Sequence, residues 1–265
     1  NNVMNIKRCI ERANLNVRDI ILEPIASADA VLSDEEKEAG IVLVDIGGGT
    51  TDIAIFQDGI IRHTAVIPFG GNIITNDIRE GCKILSRHAE ALKIKYGSAS
   101  ASENKENEVV CIPGLRGREP KEITLKNLSN IIQARMEEII ELVNYEIKNS
   151  GYSKKLIGGI VVTGGGAQLK HLTQLFEYMT GMDTRIGYPT EHLANSNDIE
   201  GIESPMFSTG IGLVLQGFKK LDDIKEPVVT KSIKEEVTKH SNRERRGTFF
   251  DKFLTKAQGF FTDEN

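Results

Sequence analysis

The chain has 265 residues, enough for one large domain or two small ones, and its 39% hydrophobic and 27% charged residues are ordinary for a globular protein. No apolar run reaches the roughly 18 residues of a membrane-crossing helix, no secretory leader is evident, and three cysteines without CxxC spacing suggest neither a disulfide framework nor a zinc site. The net charge of −5 argues against a nucleic-acid partner for the body and hides a split, because residues 225–256 carry nine Lys/Arg against five Asp/Glu.

The chain opens on a helical pattern, Val3, Ile6, Ile10 and Ala13, closed by Asn14 and Asn16. DIILEP then predicts a strand, IASADAVLS a small-residue helix and DEEKEAG an acidic loop. Residues 41–46, 51–57 and 60–68 predict a strand meander with Asp58-Gly59 as a two-residue hairpin turn. Between the first two of these strands lie Gly47, Gly48 and Gly49, flanked by Asp45, Thr50, Thr51 and Asp52. A tight turn accounts for one or two such glycines. A glycine run after a buried strand also bares its N–H groups as a nest for an anion, phosphate above all.

From Asn72 the period becomes helical through two segments ending at Gly97, and GSASASENKENE predicts an exposed polar loop. A strand at EVVCIPG precedes a long amphipathic helix over Leu125–Asn149, stopped by Gly151. IGGIVVTGGGAQL repeats the earlier arrangement, an apolar β-branched run, then Gly164, Gly165 and Gly166, then a helix over 167–180. A strand leading through glycines into a helix is how α/β proteins approach a nucleotide, and two such loops in one chain are not independent accidents. A short strand DTRIGYP and a helix from Pro205 to Lys220 follow, so that strands alternate with helices in an α/β core. The five histidines form no metal-ligand pair, and no transition metal is expected.

Residues 222–246 are polar and aperiodic, the pattern of a disordered linker. In 247–262, Phe249, Phe250, Phe253, Leu254, Ala257, Phe260 and Phe261 fall on one helical arc, with Asp251, Lys252, Thr255, Lys256 and Gln258 opposite. Such a helix either folds back on its own domain or lies on a surface. The linker and the flanking Arg243, Arg245, Arg246, Lys252 and Lys256 favour an anionic membrane surface.

With both glycine loops in hand, the chain resembles the actin-like ATPase superfamily, with a ribonuclease H-like fold, and within it the FtsA family of bacterial cell-division proteins. VDIGGGTTDIAIF looks like the second phosphate loop, IVVTGGGAQLKHL like the adenosine motif, LEPIASADAV like the segment connecting the two halves. The resemblance implies ATP and Mg²⁺ as cofactors. Asp45 would hold Mg²⁺ through water, and Gly47–Gly49 with Thr50 and Thr51 would face the β- and γ-phosphates. Glu23 would orient an attacking water, Glu90 and Lys93 would reach ribose and adenine, and Gly164–Gly166 would complete the cofactor site.

The resemblance further implies a division into residues 1–40 from a first lobe, 41–77 with 151–204 as the core of a second lobe, 78–150 as its outer subdomain, and 205–221 as a closing helix. The family's first phosphate loop has no counterpart here, so the chain reads as a fragment, incomplete at its N-terminus, in which ATP binding and any slow hydrolysis are weakened. Expected partners are the C-terminal peptide of the tubulin-like FtsZ, with Arg135 as a candidate contact, further copies in a filament, other division proteins and the membrane through Phe249, Phe250, Phe253, Leu254, Phe260, Phe261, Lys252 and Lys256. The implied function is a polymerising scaffold tethering the FtsZ ring to the cytoplasmic face of the membrane at the division site. An adaptor ATPase of the pilus-assembly or chaperone type and a small-molecule kinase are the alternatives, though a kinase has little use for a linker and a Phe-rich helix.

Overall fold

The computed structural model describes residues 2–103, 108–114, 119–190, 193 and 201–222. The elements run α1 (Asn2–Arg12), α2 (Glu23–Val31), α3 (Asp34–Ala39), β1 (Ile41–Ile46), β2 (Thr51–Gln57), β3 (Ile60–Ile67), α4 (Gly71–Cys82), α5 (Ser86–Tyr96), β4 (Val109–Ile112), β5 (Lys121–Thr124), α6 (Leu125–Asn149), β6 (Ile160–Thr163), α7 (Leu172–Thr180), β7 (Thr184–Ile186) and α8 (Ser208–Asp222). The expected linker and Phe-rich helix lie outside the described residues.

Five strands form the main sheet in the order β3-β2-β1-β6-β7, and β4 pairs with β5 in a separate ribbon. The first three strands are an antiparallel meander, and the Asp58-Gly59 turn has φ of 57° and 72°, as a two-residue hairpin turn requires. β1 then pairs parallel with β6, and β6 with β7.

All six residues of β1 are buried, because helices cover both faces of the sheet. Val42, Val44 and Ile46 point into a core shared with Ile74 and Ile78 of α4, with α6 and with Phe176 of α7. Ile41 and Leu43 point the other way, against Ala28, Ala30 and Val31 of α2 and Ile211 of α8. α6 buries Leu128, Ile132, Met136, Ile139, Ile140, Val143 and Ile147, each worth about 1.5–3 kcal/mol of transfer free energy before chain entropy is set against it. On the other face α2 and α8 cross closely: a Cβ on Gly212 would meet the Ala26 carbonyl oxygen at 1.7 Å.

Several expectations are corrected. DIILEP is no strand; residues 19–22 are irregular and Glu23 opens α2, followed by Pro24 in the first turn, where its missing N–H costs nothing. DEEKEA is helical, because Ser33 and Glu36 close a reciprocal capping box. The GSASAS segment is not a free loop: Ser98, Ala99 and Ala101 are buried, and the Ala99 N–H donates to the Lys170 carbonyl at 2.8 Å. The 167–180 helix begins at Leu172, after a short 3-10 turn over Gly165–Gln168 and a break at His171, whose φ is 59°. β5 was not foreseen.

Candidate functional site

β1 and β6 run parallel and end side by side, so the two glycine loops leave the same edge of the sheet as neighbours. Between them and helices α4 and α5 opens a cleft of about 260 Å³ lined by Gly47, Gly48, Gly71, Asn72, Ile74, Glu90, Lys93, Ile94, Gly165, Gly166, Gln168, Leu169 and Met206.

The glycines divide by what surrounds them. A Cβ on Gly164, whose φ is 83°, would lie 2.3 Å from Asp45 Oδ1, and one on Gly166 would lie 2.3 Å from Ile46 Cγ2. Those two are required by the close crossing of β1. Gly49 and Gly165 are different, since a Cβ there meets nothing within 4 Å and neither has a positive φ. On Gly48 a Cβ would make only ordinary contact with Asn72 at 3.5 Å. Nothing among the described residues demands glycine at these three positions, and the space beside them is open enough for a ligand to approach the backbone.

Loop carbonyls hold the α4 N-terminus: the Gly71 and Asn72 N–H groups donate to the carbonyls of Gly47 and Gly48, both at 2.8 Å. Thr50 Oγ1 donates to Asp52 at 2.9 Å and is exposed. Thr51 is fully buried and donates to the Phe69 carbonyl at 2.8 Å, so its hydroxyl braces the loop instead of facing the cleft.

Asp45, near the end of β1, is 6% exposed and accepts from Ser27 at 2.9 Å and from Thr209 at 3.5 Å. Burial pushes its carboxyl above the usual range against the Ser27 and Thr209 hydrogen bonds, and the charge of Asp52 adds to the rise. The Glu23 carboxyl is raised too, by loss of water around it and by the charges of Asp52 and Asp45. Glu23, Asp45 and Asp52 therefore share one electronegative corner, where a divalent cation would relieve the repulsion. Among the described residues no three acidic, His or Cys side chains are placed to hold a metal by themselves.

Glu90 and Lys93 do lie together on the cleft. Lys93 Nζ donates to Glu90 Oε2, to the Gly71 carbonyl and to Thr75 Oγ1, each at 2.9 Å, and Thr75 Oγ1 also lies against Glu90 Oε2. All three ammonium donors are thus engaged within the protein. Burial opposes the Glu90 charge, but Thr75 and Lys93 hold its carboxyl below the usual range. Lys93 fixes Glu90 and closes the first turn of α4, which differs from the expectation that it reaches the ligand itself.

Arg135 stands apart from the cleft. It forms a two-pronged ion pair with Asp77, at 2.6 and 3.2 Å, and a further one with Glu138, so it ties α6 to α4. The expected membrane residues Phe249, Phe250, Lys252, Phe253, Leu254, Lys256, Phe260 and Phe261 lie outside the described residues, and no described helix is long and apolar enough to cross a membrane. Sequence reasoning missed Ser27, Thr209, Thr75, Asn72, Ile94, Gln168 and Met206; the small residues around Ser27, at a helix meeting an acidic strand end, were the available signal.

Residues 42–212 match the cell division protein FtsA family. The chain is 42% identical over 219 residues to the cell division protein FtsA of Pseudomonas aeruginosa, covering 83% of this chain and 52% of that protein. It spans about half the length of the curated relatives it matches. Among solved structures it superposes on MreB5 of Spiroplasma citri bound to ADP, with a TM-score of 0.68 at 22% identity, covering 85% of this chain and 67% of that one. MreB5 bound to AMPPNP superposes equally well, with a TM-score of 0.68 at 23% identity over 84% of this chain and 66% of that one. These likenesses establish an actin-like fold.

Proposed function

Because the chain belongs to the cell division protein FtsA family, we propose that its cleft binds Mg-ATP and serves an actin-like scaffold that polymerises and tethers the FtsZ ring to the cytoplasmic face of the membrane. The observation that carries the nucleotide reading is the set of open glycines, Gly48, Gly49 and Gly165, on two loops that converge on one cleft. Backbone N–H groups exposed by such loops suit phosphate oxygens. Asp45 suits a magnesium ion that arrives with the phosphates and keeps its waters. Glu90, charged and fixed by Lys93, suits ribose hydroxyls as an acceptor. The ADP and AMPPNP bound by MreB5, which shares the fold, support a nucleotide as the ligand.

Gly165→Val tests this without disturbing the fold, since the added methyl groups start from open space. Calorimetric titration with Mg-ATP is expected to show a loss of about tenfold or more, equivalent to roughly 1.4 kcal/mol; an affinity equal to that of the unaltered chain would overturn the reading. Asp45→Ala is expected to weaken Mg-ATP binding, and unaltered affinity would remove Asp45 from the site.

A further inference from the structure

The fold treats the two oxygens of Asp45 differently. Oδ2 turns toward α2 and α8, where Ser27 Oγ donates to it at 2.9 Å and Thr209 Oγ1 approaches it at 3.5 Å. The two hydroxyl oxygens are themselves 2.9 Å apart. Ser27 gives its one proton to Asp45, so the Thr209 proton is shared between Ser27 and the same carboxylate oxygen. Oδ1 lies against Gly164, accepts from no described residue, and is not sealed from solvent. Resting on the Mg-ATP reading above, we infer that Ser27 and Thr209 are positioning residues that make Asp45 a one-oxygen partner for the cation, and that they thereby set a preference for Mg²⁺ over Ca²⁺ with the nucleotide.

Ca²⁺ takes about six to eight oxygens in flexible geometry and readily accepts both oxygens of one carboxylate, whereas Mg²⁺ demands a near-octahedral shell and keeps several waters. A carboxylate with one oxygen tied offers Mg²⁺ the single acceptor it can use, for the metal or for one of its waters. It withholds the second oxygen from which Ca²⁺ alone would gain. The hydroxyls are not free to swing aside, because Ser27 is fully buried and the helices cross tightly beside it, where a Cβ on Gly212 would lie 1.7 Å from the Ala26 carbonyl oxygen. Ser27 is out of reach of a ligand for the same reason and acts through Asp45. Glu23 and Asp52 add negative charge to this corner, but charge attracts either divalent ion and does not discriminate between them.

The test measures ATP affinity by calorimetry at saturating Mg²⁺, at saturating Ca²⁺ and with a chelator, for the unaltered chain, Ser27→Ala, Thr209→Val and Thr209→Ser. The unaltered chain is expected to bind Mg-ATP about tenfold more tightly than Ca-ATP. Ser27→Ala frees Oδ2 and is expected to shrink that ratio about fivefold, chiefly by strengthening Ca-ATP. Thr209→Val is expected to shrink it less, and Thr209→Ser, which keeps the hydroxyl, to preserve it. Thr209→Val holds the side-chain shape and gives the same reading should Ser27→Ala fail to fold. A merely structural loosening weakens both complexes together and leaves the ratio where it was. An unchanged ratio in every folded variant lacking a hydroxyl, or ATP binding to the unaltered chain that is equal under all three conditions, would overturn the role given to Ser27 and Thr209 while leaving the nucleotide site standing. If the unaltered chain bound ATP under none of the three conditions, the nucleotide reading itself would fall, and the cation preference with it.

Discussion

Asp45 is held where its charge is disfavoured. Its raised carboxyl means the folded state binds the proton more tightly than the unfolded chain, so its favourable contribution is complete below the ordinary carboxylate range and is lost as pH rises through the raised value. Above that value the charged carboxylate is disfavoured by the fold. Asp45→Asn is therefore expected to raise the thermal midpoint at pH 7 while weakening Mg-ATP binding, with the gain shrinking as pH falls toward the usual carboxylate range. A midpoint lowered at pH 7 would show instead that the Ser27 and Thr209 hydrogen bonds dominate. The glycines and Asp45 were legible because their backbone and charge chemistry is local. The engagement of Lys93 and Thr51 was not, since their partners Gly71, Thr75 and Phe69 come from other elements brought near only by the fold.

At the scale of elements, the crossing of α2 and α8 is set by residues without bulk. Gly212→Val would drive a side chain into the Ala26 carbonyl, and is expected to cost about 3 kcal/mol or more in urea unfolding. Arg135→Ala removes a two-pronged but partly solvated pair with Asp77 and is expected to cost about 1 kcal/mol or less by the same measurement. The period of α6 and the hairpin of β2 and β3 were readable because each is written in one continuous stretch. β5 was hidden because KEIT is short and gains its identity only by pairing with β4, and DEEKEA was read by composition although Ser33 and Glu36 spelled a cap.

For the whole molecule, the expected functions divide between the folded body and the tail. Phe250→Glu, on the apolar arc expected from the sequence, is expected to abolish sedimentation with anionic vesicles, as is a chain ending at Asp222. Unchanged sedimentation by both would return the proposed tether to the body. The actin-like architecture was legible from the two glycine loops because each marks a strand end, yet their closeness was not, since Asp45 and Thr163 meet only through the β1–β6 ladder.

That ladder also governs the order of events when the chain folds. Its two strands are separated by the β2–β3 hairpin, the β4–β5 ribbon and the helices α4 to α6, so the edge that carries both glycine loops cannot exist until a long closure has been made. On the proposed reading, a nucleotide would find no docking place in the early ensemble and would stabilise only the finished state. In stopped-flow experiments Mg-ATP is therefore expected to slow unfolding and to leave the refolding rate nearly untouched, so that the ligand acts as a lock on a completed structure and not as a template for building it.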